Sequence, residues 1–169
     1  MNSHVLLIMR HAKSDWSDHT AADFDRTLTD RGKRDAKKMG AWLKKKKIIP
    51  DKIVSSPAAR AERTALIVSR EIGFDPAGII WDRGIYDASL EDLLKVIPGY
   101  ARKTPCLLLI GHNPGLEELL DYLSSDQPET NSAGKVMTTA AIAVLDYGTG
   151  PISTGKASAQ LICLTRPRA

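Results

Sequence analysis

Four basic side chains in this sequence could together bind a phosphoryl group and react with it. Arg10 and His11 follow one short apolar run, His112 follows another, and Arg60 lies just after a third strand-like segment. The guanidinium of an arginine presents a planar fork of N–H donors that matches the oxygens of a phosphate. A neutral imidazole can attack phosphorus and form a covalent phosphohistidine. A second, protonated imidazole can stabilise the charge that develops on the oxygens. The set therefore indicates phosphoryl-transfer chemistry.

Short strand-like runs alternate with helical patterns along the chain and would position these residues. Strands are predicted at residues 5–9, 52–55, 79–81, 106–110, 140–145 and 159–164. Four helices are predicted. The first is capped by Thr29 or Asp30, and the second is capped by Ser56, with Pro57 at its first position, and ends at Gly73. The third is capped by Ser89, and the fourth begins at Pro114. Residues 12–28 and 124–136 are polar and are predicted to be loops.

This alternation predicts an α/β fold, a three-layer α/β/α sandwich with a mostly parallel central sheet. Because no helix is predicted between the last two strands, we expect them to extend the sheet in antiparallel orientation. Residues 1–169 are predicted to form a single domain, since the length suits one core and no linker interrupts it. Functional residues of open α/β sheets collect at the carboxyl ends of strands, which is where the two histidines are predicted to lie.

Four segments of the chain resemble, in the same order, the motifs of the histidine phosphatase superfamily, the phosphoglycerate mutase-like proteins. Residues 10–16, which begin Arg-His-Ala, resemble its Arg-His-Gly motif, and residues 26–32 resemble its R-x-L-T-x-x-G segment. Residues 55–65 are similar to its S-S-x-x-x-R-x-x-x-T-A segment. Residues 111–115 match the G-H-N-P version found in SixA-type phosphohistidine phosphatases. The resemblance implies a phosphoglycerate mutase-like fold.

The resemblance also implies roles for individual residues. His11 is the expected nucleophile that becomes phosphorylated. Arg10, Arg60 and His112 are expected to complete the phosphate pocket. No metal and no organic cofactor are expected.

The residues that follow His11 depart in part from the family pattern. Ala12 replaces the usual glycine, which excludes only backbone conformations that need glycine. Ser14 and Ser17 are expected near the phosphate, because their counterparts in the family lie near it. Trp16 either lines the mouth of the site or packs the loop onto the domain.

The proton donor is the larger departure. Many members of the family use a glutamate from an insertion that also covers the active site, and here a predicted strand and helix fill much of the short stretch between Arg60 and His112. We therefore expect no lid. Asp87 is one candidate for the glutamate's place, and Asp23 and Asp25, on the loop before the second motif, are its rivals.

The missing lid favours phosphohistidine on a protein as the substrate. An imidazole leaves phosphorus more easily than an alkoxide does and needs less help from an acid, and an open site admits a protein surface. A small-molecule phosphomonoesterase of the same superfamily is the alternative. A mutase is disfavoured because it must shield its phosphoenzyme from water. A phosphate-binding module without turnover is a third possibility, although binding alone does not need a nucleophile.

Composition excludes several other classes of protein. Hydrophobic residues make up 43% and charged residues 26% of the chain, as is typical of a globular protein, and no apolar run approaches the length of a membrane span. We expect a cytoplasmic protein with its two cysteines, Cys106 and Cys163, buried and reduced. The net charge of +4 suits anionic ligands. Aromatic residues are only 5% of the chain, which disfavours nucleic acid as a partner.

Overall fold

One six-stranded sheet runs through the centre of the chain in a computed structural model that describes residues 3–168. The strands are β1 (Val5–Arg10), β2 (Lys52–Ser55), β3 (Ile80–Trp81), β4 (Cys106–Gly111), β5 (Ile142–Asp146) and β6 (Gln160–Thr165). Their order across the sheet is β3-β2-β4-β1-β5-β6. The first four strands in this order are parallel, and β5 pairs antiparallel with both β1 and β6. The antiparallel addition at the end of the chain is thus confirmed.

Helices cover both faces of the sheet, which confirms the predicted three layers. They are α1 (Asp30–Lys46), α2 (Ala59–Ile72), α3 (Leu90–Ala101) and α4 (Gly115–Leu123). Successive side chains of a strand point to opposite faces. In β1, Leu7 and Met9 accordingly pack in one core with α1 and α2, and Leu6 and Ile8 pack in the other core with α3 and α4. The sheet is therefore buried on both sides, and its strand ends are left to carry polar chemistry.

Local signals set most helix ends where the sequence predicts them. The side chain of Thr29 caps α1 by accepting from the N–H of Gly32. Ser89 caps α3 in a capping box with Asp92. Gly73 ends α2 in the left-handed conformation, with a φ of 76°. None of the helices that the structure describes is both long enough and apolar enough to cross a membrane.

The start of α2 differs from the prediction that Ser56 caps it. The helix begins at Ala59, and the carbonyl of Ala58 accepts its first N–H bond. Ser56 directly follows β2, and its N–H donates to the carbonyl of Ile110 on β4 at 3.0 Å. Its hydroxyl faces His112 instead of serving as the helix cap.

The two cysteines are free, as predicted, but each is partly exposed instead of buried. Cys106 is the first residue of β4, and Cys163 lies on β6 at the edge of the sheet, so neither is covered from all sides. The burial that Cys106 does have raises the pKa of its thiol to about 12, and Asp51 adds to the effect. This thiol is therefore protonated and poorly reactive at neutral pH.

Candidate active site

Three neighbouring strands end at one edge of the sheet and bring the predicted basic residues together. Arg10 pairs in register with Gly111, and the N–H of His11 donates to the Gly111 carbonyl at 3.0 Å. The rings of His11 and His112 are therefore neighbours, with centroids 5.2 Å apart. Arg60 joins them from the first turn of α2, and all four basic side chains line one cleft of about 190 Å³.

Both ring nitrogens of His11 have a partner, a carbonyl on one side and a long contact to Arg60 on the other. Its Nδ1 lies 2.7 Å from the carbonyl oxygen of Ala12, which can only accept, so Nδ1 carries the proton. The lone pair is therefore on Nε2, to which the Nε–H of Arg60 donates at 3.4 Å. Burial, together with the nearby charges of His112, Arg60 and Arg10, lowers the pKa of His11 to about 3. The ring is neutral at pH 7, which is the form that a nucleophile needs.

Ala12 fits where the family pattern has glycine. The residue is fully buried, and its backbone is outside the left-handed region that would require glycine. Its N–H donates to the hydroxyl of Thr64 at 3.0 Å, and that hydroxyl donates to the carbonyl of Arg60 at 2.7 Å. The backbone N–H of this position therefore ties the loop after His11 to α2, and alanine is accommodated there without backbone strain.

His112 is fixed by a hydroxyl and is also neutral. Its Nε2 lies 2.8 Å from Oγ of Ser56, while its Nδ1 is buried without a hydrogen-bond partner. Burial, followed by the charge of Arg60, lowers the pKa of His112 to about 4. The sequence predicts a protonated imidazole, whereas the protein's own groups hold this one neutral at pH 7. A phosphate oxygen beside Nδ1 would favour the protonated, donating form.

Two arginines that line the cleft, the partly buried Arg10 and the buried Arg60, are fixed by backbone oxygens. Nη1 of Arg10 donates to the carbonyl of Met137 at 3.1 Å, and its buried Nε has no partner. Nη1 of Arg60, which is 6% exposed, donates to the carbonyl of Asp23 at 2.7 Å. Buried cations with spare donors are costly unless an anion completes their hydrogen bonds, so the arrangement fits a phosphoryl group.

Arg26 is a third arginine of the cleft lining, and the sequence prediction gave it no role in the site. It is 7% exposed, and its guanidinium donates to the hydroxyl of Ser14 and, at 2.9 Å, to the carboxylate of Asp23. Its buried Nε is unpartnered, like that of Arg10. The position of Arg26 in the second family-like motif was the available signal.

The three acid candidates lie in different surroundings. The carboxylate of Asp23 accepts from Nη2 of Arg60 at 3.1 Å and from the hydroxyl of Tyr86 at 2.7 Å. These bonds, with Tyr86 contributing most and Arg26 also donating, hold the pKa of Asp23 well below its usual range. Asp87 and Asp25 are exposed, and neither side chain forms a hydrogen bond to a residue of the cleft in the part of the chain that the structure describes. Of the three, the structure brings only Asp23 into contact with the site.

The remaining predicted residues lie on the loop after His11, and only some of them line the cleft. Ser14 is buried and lines the cleft, whereas Ser17 is exposed and does not line it; the N–H of Ser17 donates to Asp15 at 2.8 Å. Trp16 lines the mouth of the cleft, which decides between the two placements that the sequence left open. Sequence reasoning missed three further residues of the lining: Lys13, Asn113 and Thr139.

The chain is similar to a known protein family and to individual proteins of other organisms. A model of the histidine phosphatase superfamily (branch 1) matches residues 6–93. An uncharacterized chloroplast protein of Arabidopsis thaliana is 32% identical over 132 residues, which cover 72% of this chain and 60% of that protein.

Solved structures match over nearly the whole chain. A candidate phosphohistidine phosphatase SixA from Agrobacterium tumefaciens is 26% identical, with a TM-score of 0.78, 97% of this chain covered and 98% of that chain. The protein histidine phosphatase SixA complexed with tungstate also has a TM-score of 0.78, at 23% identity, with 96% of this chain and 97% of that chain covered. The second match concerns the fold alone.

Proposed function

The chain belongs to the histidine phosphatase superfamily and is a phosphatase, and we propose that it hydrolyses phosphohistidine on a protein through a covalent intermediate on His11. The observation that carries the proposal is the state of His11. Its Nδ1 proton is bound by the Ala12 carbonyl, and its neutral Nε2 faces the donor of Arg60 inside the cleft. A phosphate-binding site without chemistry would not need such an imidazole.

In the first step the phosphoryl group binds among the arginines of the cleft. Arg10 and Arg60 supply N–H donors to its oxygens, and the pair of negative charges draws a proton onto His112. Arg26, which also lines the cleft, adds positive charge. To receive the oxygens, Arg60 exchanges its bond to the Asp23 carboxylate for a bond to phosphate.

In the second step Nε2 of His11 attacks phosphorus. A new P–N bond forms to His11, the P–N bond to the substrate ring breaks, and its electron pair returns to the ring nitrogen. Solvent can protonate the other nitrogen of the substrate ring beforehand, so the ring leaves as neutral imidazole. This leaving group needs no proton from Asp23, which the bonds from Tyr86, Arg26 and Arg60 keep ionised.

In the third step water attacks the phosphorus of phosphorylated His11. A P–O bond forms, the P–N bond to Nε2 breaks, and the imidazole recovers its lone pair while the proton of water passes to solvent or phosphate. The bond from Nδ1–H to Ala12 keeps the ring in place through the cycle. Inorganic phosphate then leaves through the open cleft.

The open surroundings of the cleft support the proposed substrate class. In the described part of the chain, the stretch between α2 and β4 holds a strand, two short turns and α3, with no inserted lid. The name of the SixA-like neighbour from Agrobacterium tumefaciens, a candidate phosphohistidine phosphatase, agrees with a phosphohistidine substrate. The small-molecule phosphomonoesterase and the phosphate-binding module become outcomes of the test.

The test compares hydrolysis of a histidine-phosphorylated peptide with that of a phosphoserine peptide and of p-nitrophenyl phosphate. We expect fast turnover of the first and a loss of at least about a thousandfold in kcat for His11→Ala. His19→Ala, at an exposed histidine of the neighbouring loop, is the matched control and should keep the wild-type rate. Full activity in His11→Ala would refute the mechanism. Turnover of the monoesters alone would favour the phosphomonoesterase, and phosphate binding without turnover of any compound would favour the binding module.

A further inference from the structure

Trp16 is an exposed aromatic side chain placed at the mouth of the active-site cleft. It is 65% exposed, more than Ile49, Trp81 or Ile162, the other exposed large apolar residues in the described part of the chain. Of these, it alone lines the cleft that contains His11. Trp16 lies on a loop beside the cleft, and residues that contact a ligand are disproportionately found on such loops.

The indole ring is held in position from one side. The guanidinium carbon of Arg26 lies 3.5 Å from the ring centroid, a close cation–π contact. Arg26 itself is buried and hydrogen-bonded to Ser14 and Asp23, so the guanidinium that contacts the ring of Trp16 is held in place. A ring that is already positioned loses little conformational freedom when a ligand stacks on its open side.

We propose that the open face of Trp16 stacks against the planar ring that carries the phosphoryl group, making Trp16 a specificity residue for ring-bearing substrates. The inference rests on the proposed function and adds a binding site for the leaving group to it. Arg60 and His112 are buried and Arg10 is partly buried, so when these residues bind the phosphoryl oxygens the leaving group projects toward the open mouth. Trp16 lies on the wall of that mouth.

Stacking would distinguish substrates that have the same scissile bond. Aromatic stacking of a ligand ring on a side chain contributes about tenfold or more to binding. Phosphohistidine and phosphoramidate both present a P–N bond and a phosphoryl group, but only phosphohistidine carries a ring. The tighter binding of phosphohistidine than of phosphoramidate should therefore depend on Trp16, while the chemistry at His11 should not.

The experiment measures kcat and KM of the wild type, Trp16→Leu and Trp16→Phe on phosphohistidine and on phosphoramidate. We expect Trp16→Leu to raise KM for phosphohistidine about tenfold with little change in kcat, and to change either constant for phosphoramidate by less than about twofold. Trp16→Phe should restore most of the affinity, because it keeps a flat ring. Trp81→Leu is the matched control, an exposed tryptophan on β3 outside the cleft lining, and should match the wild type on both compounds.

The possible results distinguish a failure of the proposed function from a failure of the role inferred for Trp16. A wild type that hydrolysed neither P–N compound would contradict the proposed function and the inference with it. If the wild type hydrolyses both compounds and Trp16→Leu lowers kcat/KM equally for phosphohistidine and phosphoramidate, Trp16 acts only by holding Arg26. The inference is then wrong. It is equally wrong if Trp16→Leu leaves the affinity for phosphohistidine unchanged.

Discussion

His11 and His112 are adjacent in the cleft but have different hydrogen-bond partners, and the partners suit different tasks. A backbone carbonyl binds the Nδ1 proton of His11 and leaves the Nε2 lone pair for attack on phosphorus. A hydroxyl, that of Ser56, binds Nε2 of His112 and leaves the unpartnered Nδ1 for a phosphoryl oxygen. Both are buried and neutral, so their difference comes from these contacts and not from charge.

The position of Asp23 leads to a prediction about the competition for Arg60. Its carboxylate occupies donors that a phosphoryl group needs and carries the same sign of charge. We therefore expect Asp23→Asn to lower KM for phosphohistidine about two- to fivefold, since Asp23 is half exposed and its ion pairs are worth little. The value of kcat should stay close to that of the wild type, measured by release of inorganic phosphate.

Asp87→Asn serves as the control for the same assay. Its exposed side chain makes no hydrogen bond to the cleft within the described residues, so we expect unchanged kcat and KM. A fall of a hundredfold or more in kcat for Asp23→Asn would instead identify Asp23 as the proton donor. The same fall in Asp87→Asn would identify that residue.

For individual residues, the sequence was sufficient to predict the site residues that lie at strand ends. It was not sufficient for those whose position depends on the fold of a loop. Arg10, His11 and His112 were placed in one cleft by strand ends alone, and the structure brings them together with Arg60. The contact of Asp23 with Arg60 could not be foreseen, because it depends on how residues 12–28 fold back over α2 and that stretch has no periodic pattern.

Among the elements, α1 packs against the loop after His11 with almost no space between them. The carbonyl of Lys13 accepts from both the N–H and the hydroxyl of Thr29, the cap of α1. At Gly32 a Cβ atom would lie 2.2 Å from that same oxygen. The glycine in the second motif is therefore required by close approach of two backbone segments, and it fixes the loop that carries Ser14.

Gly32→Ala should consequently destabilise the protein and disturb the site. Two backbones must move apart, so we expect a loss of about 1–3 kcal/mol in the free energy of unfolding, measured by urea titration, and a lower kcat/KM. Gly99→Ala is the matched control inside α3, where a Cβ meets nothing within 4 Å. That variant should gain about 0.5–1 kcal/mol from helix propensity. Equal stabilities of Gly32→Ala and the wild type would contradict the close approach.

The wrong prediction for the start of α2 has a physical cause at the same scale. Ser56-Pro57 has the composition of a helix start, and Ser56 does accept an N–H bond, that of Ala58 at 3.2 Å. The helix nevertheless begins at Ala59, because the backbone of Ser56 remains paired to β4 and its hydroxyl binds His112. A cap signal in sequence does not reveal a competing tertiary partner.

For the whole molecule, local pattern predicted the layers but not the arrangement of strands within the sheet. Apolar runs and helical spacing were sufficient for an α/β sandwich with an antiparallel end. The placement of β4 between β2 and β1 depends on pairings between distant segments, such as Val5 with Cys106, which no local pattern contains. That placement is what puts His112 beside His11.

Two buried neutral histidines make the stability of the whole molecule depend on pH. The pKa of His11 is lowered to about 3 and that of His112 to about 4, each from 6.5, so the unfolded chain binds more protons than the folded protein between about pH 4 and 6.5. The free energy of unfolding should therefore rise with pH in this window, by at most about 1.4 kcal/mol per pH unit for each histidine. Urea titrations of the wild type and of His112→Asn should show a shallower rise in the variant. An unchanged slope would contradict the neutral state of His112.

Transfer of the phosphoryl group through His11 can be followed in a single-turnover experiment. Protein in excess is mixed with a histidine-phosphorylated peptide, stopped at short times under alkaline conditions, digested, and examined by mass spectrometry. We expect an acid-labile phosphoryl group on the peptide that contains His11, which appears before inorganic phosphate and decays as phosphate is released. Release of phosphate in which His11 is never phosphorylated, or a phosphoryl group that resides on another residue, would contradict it.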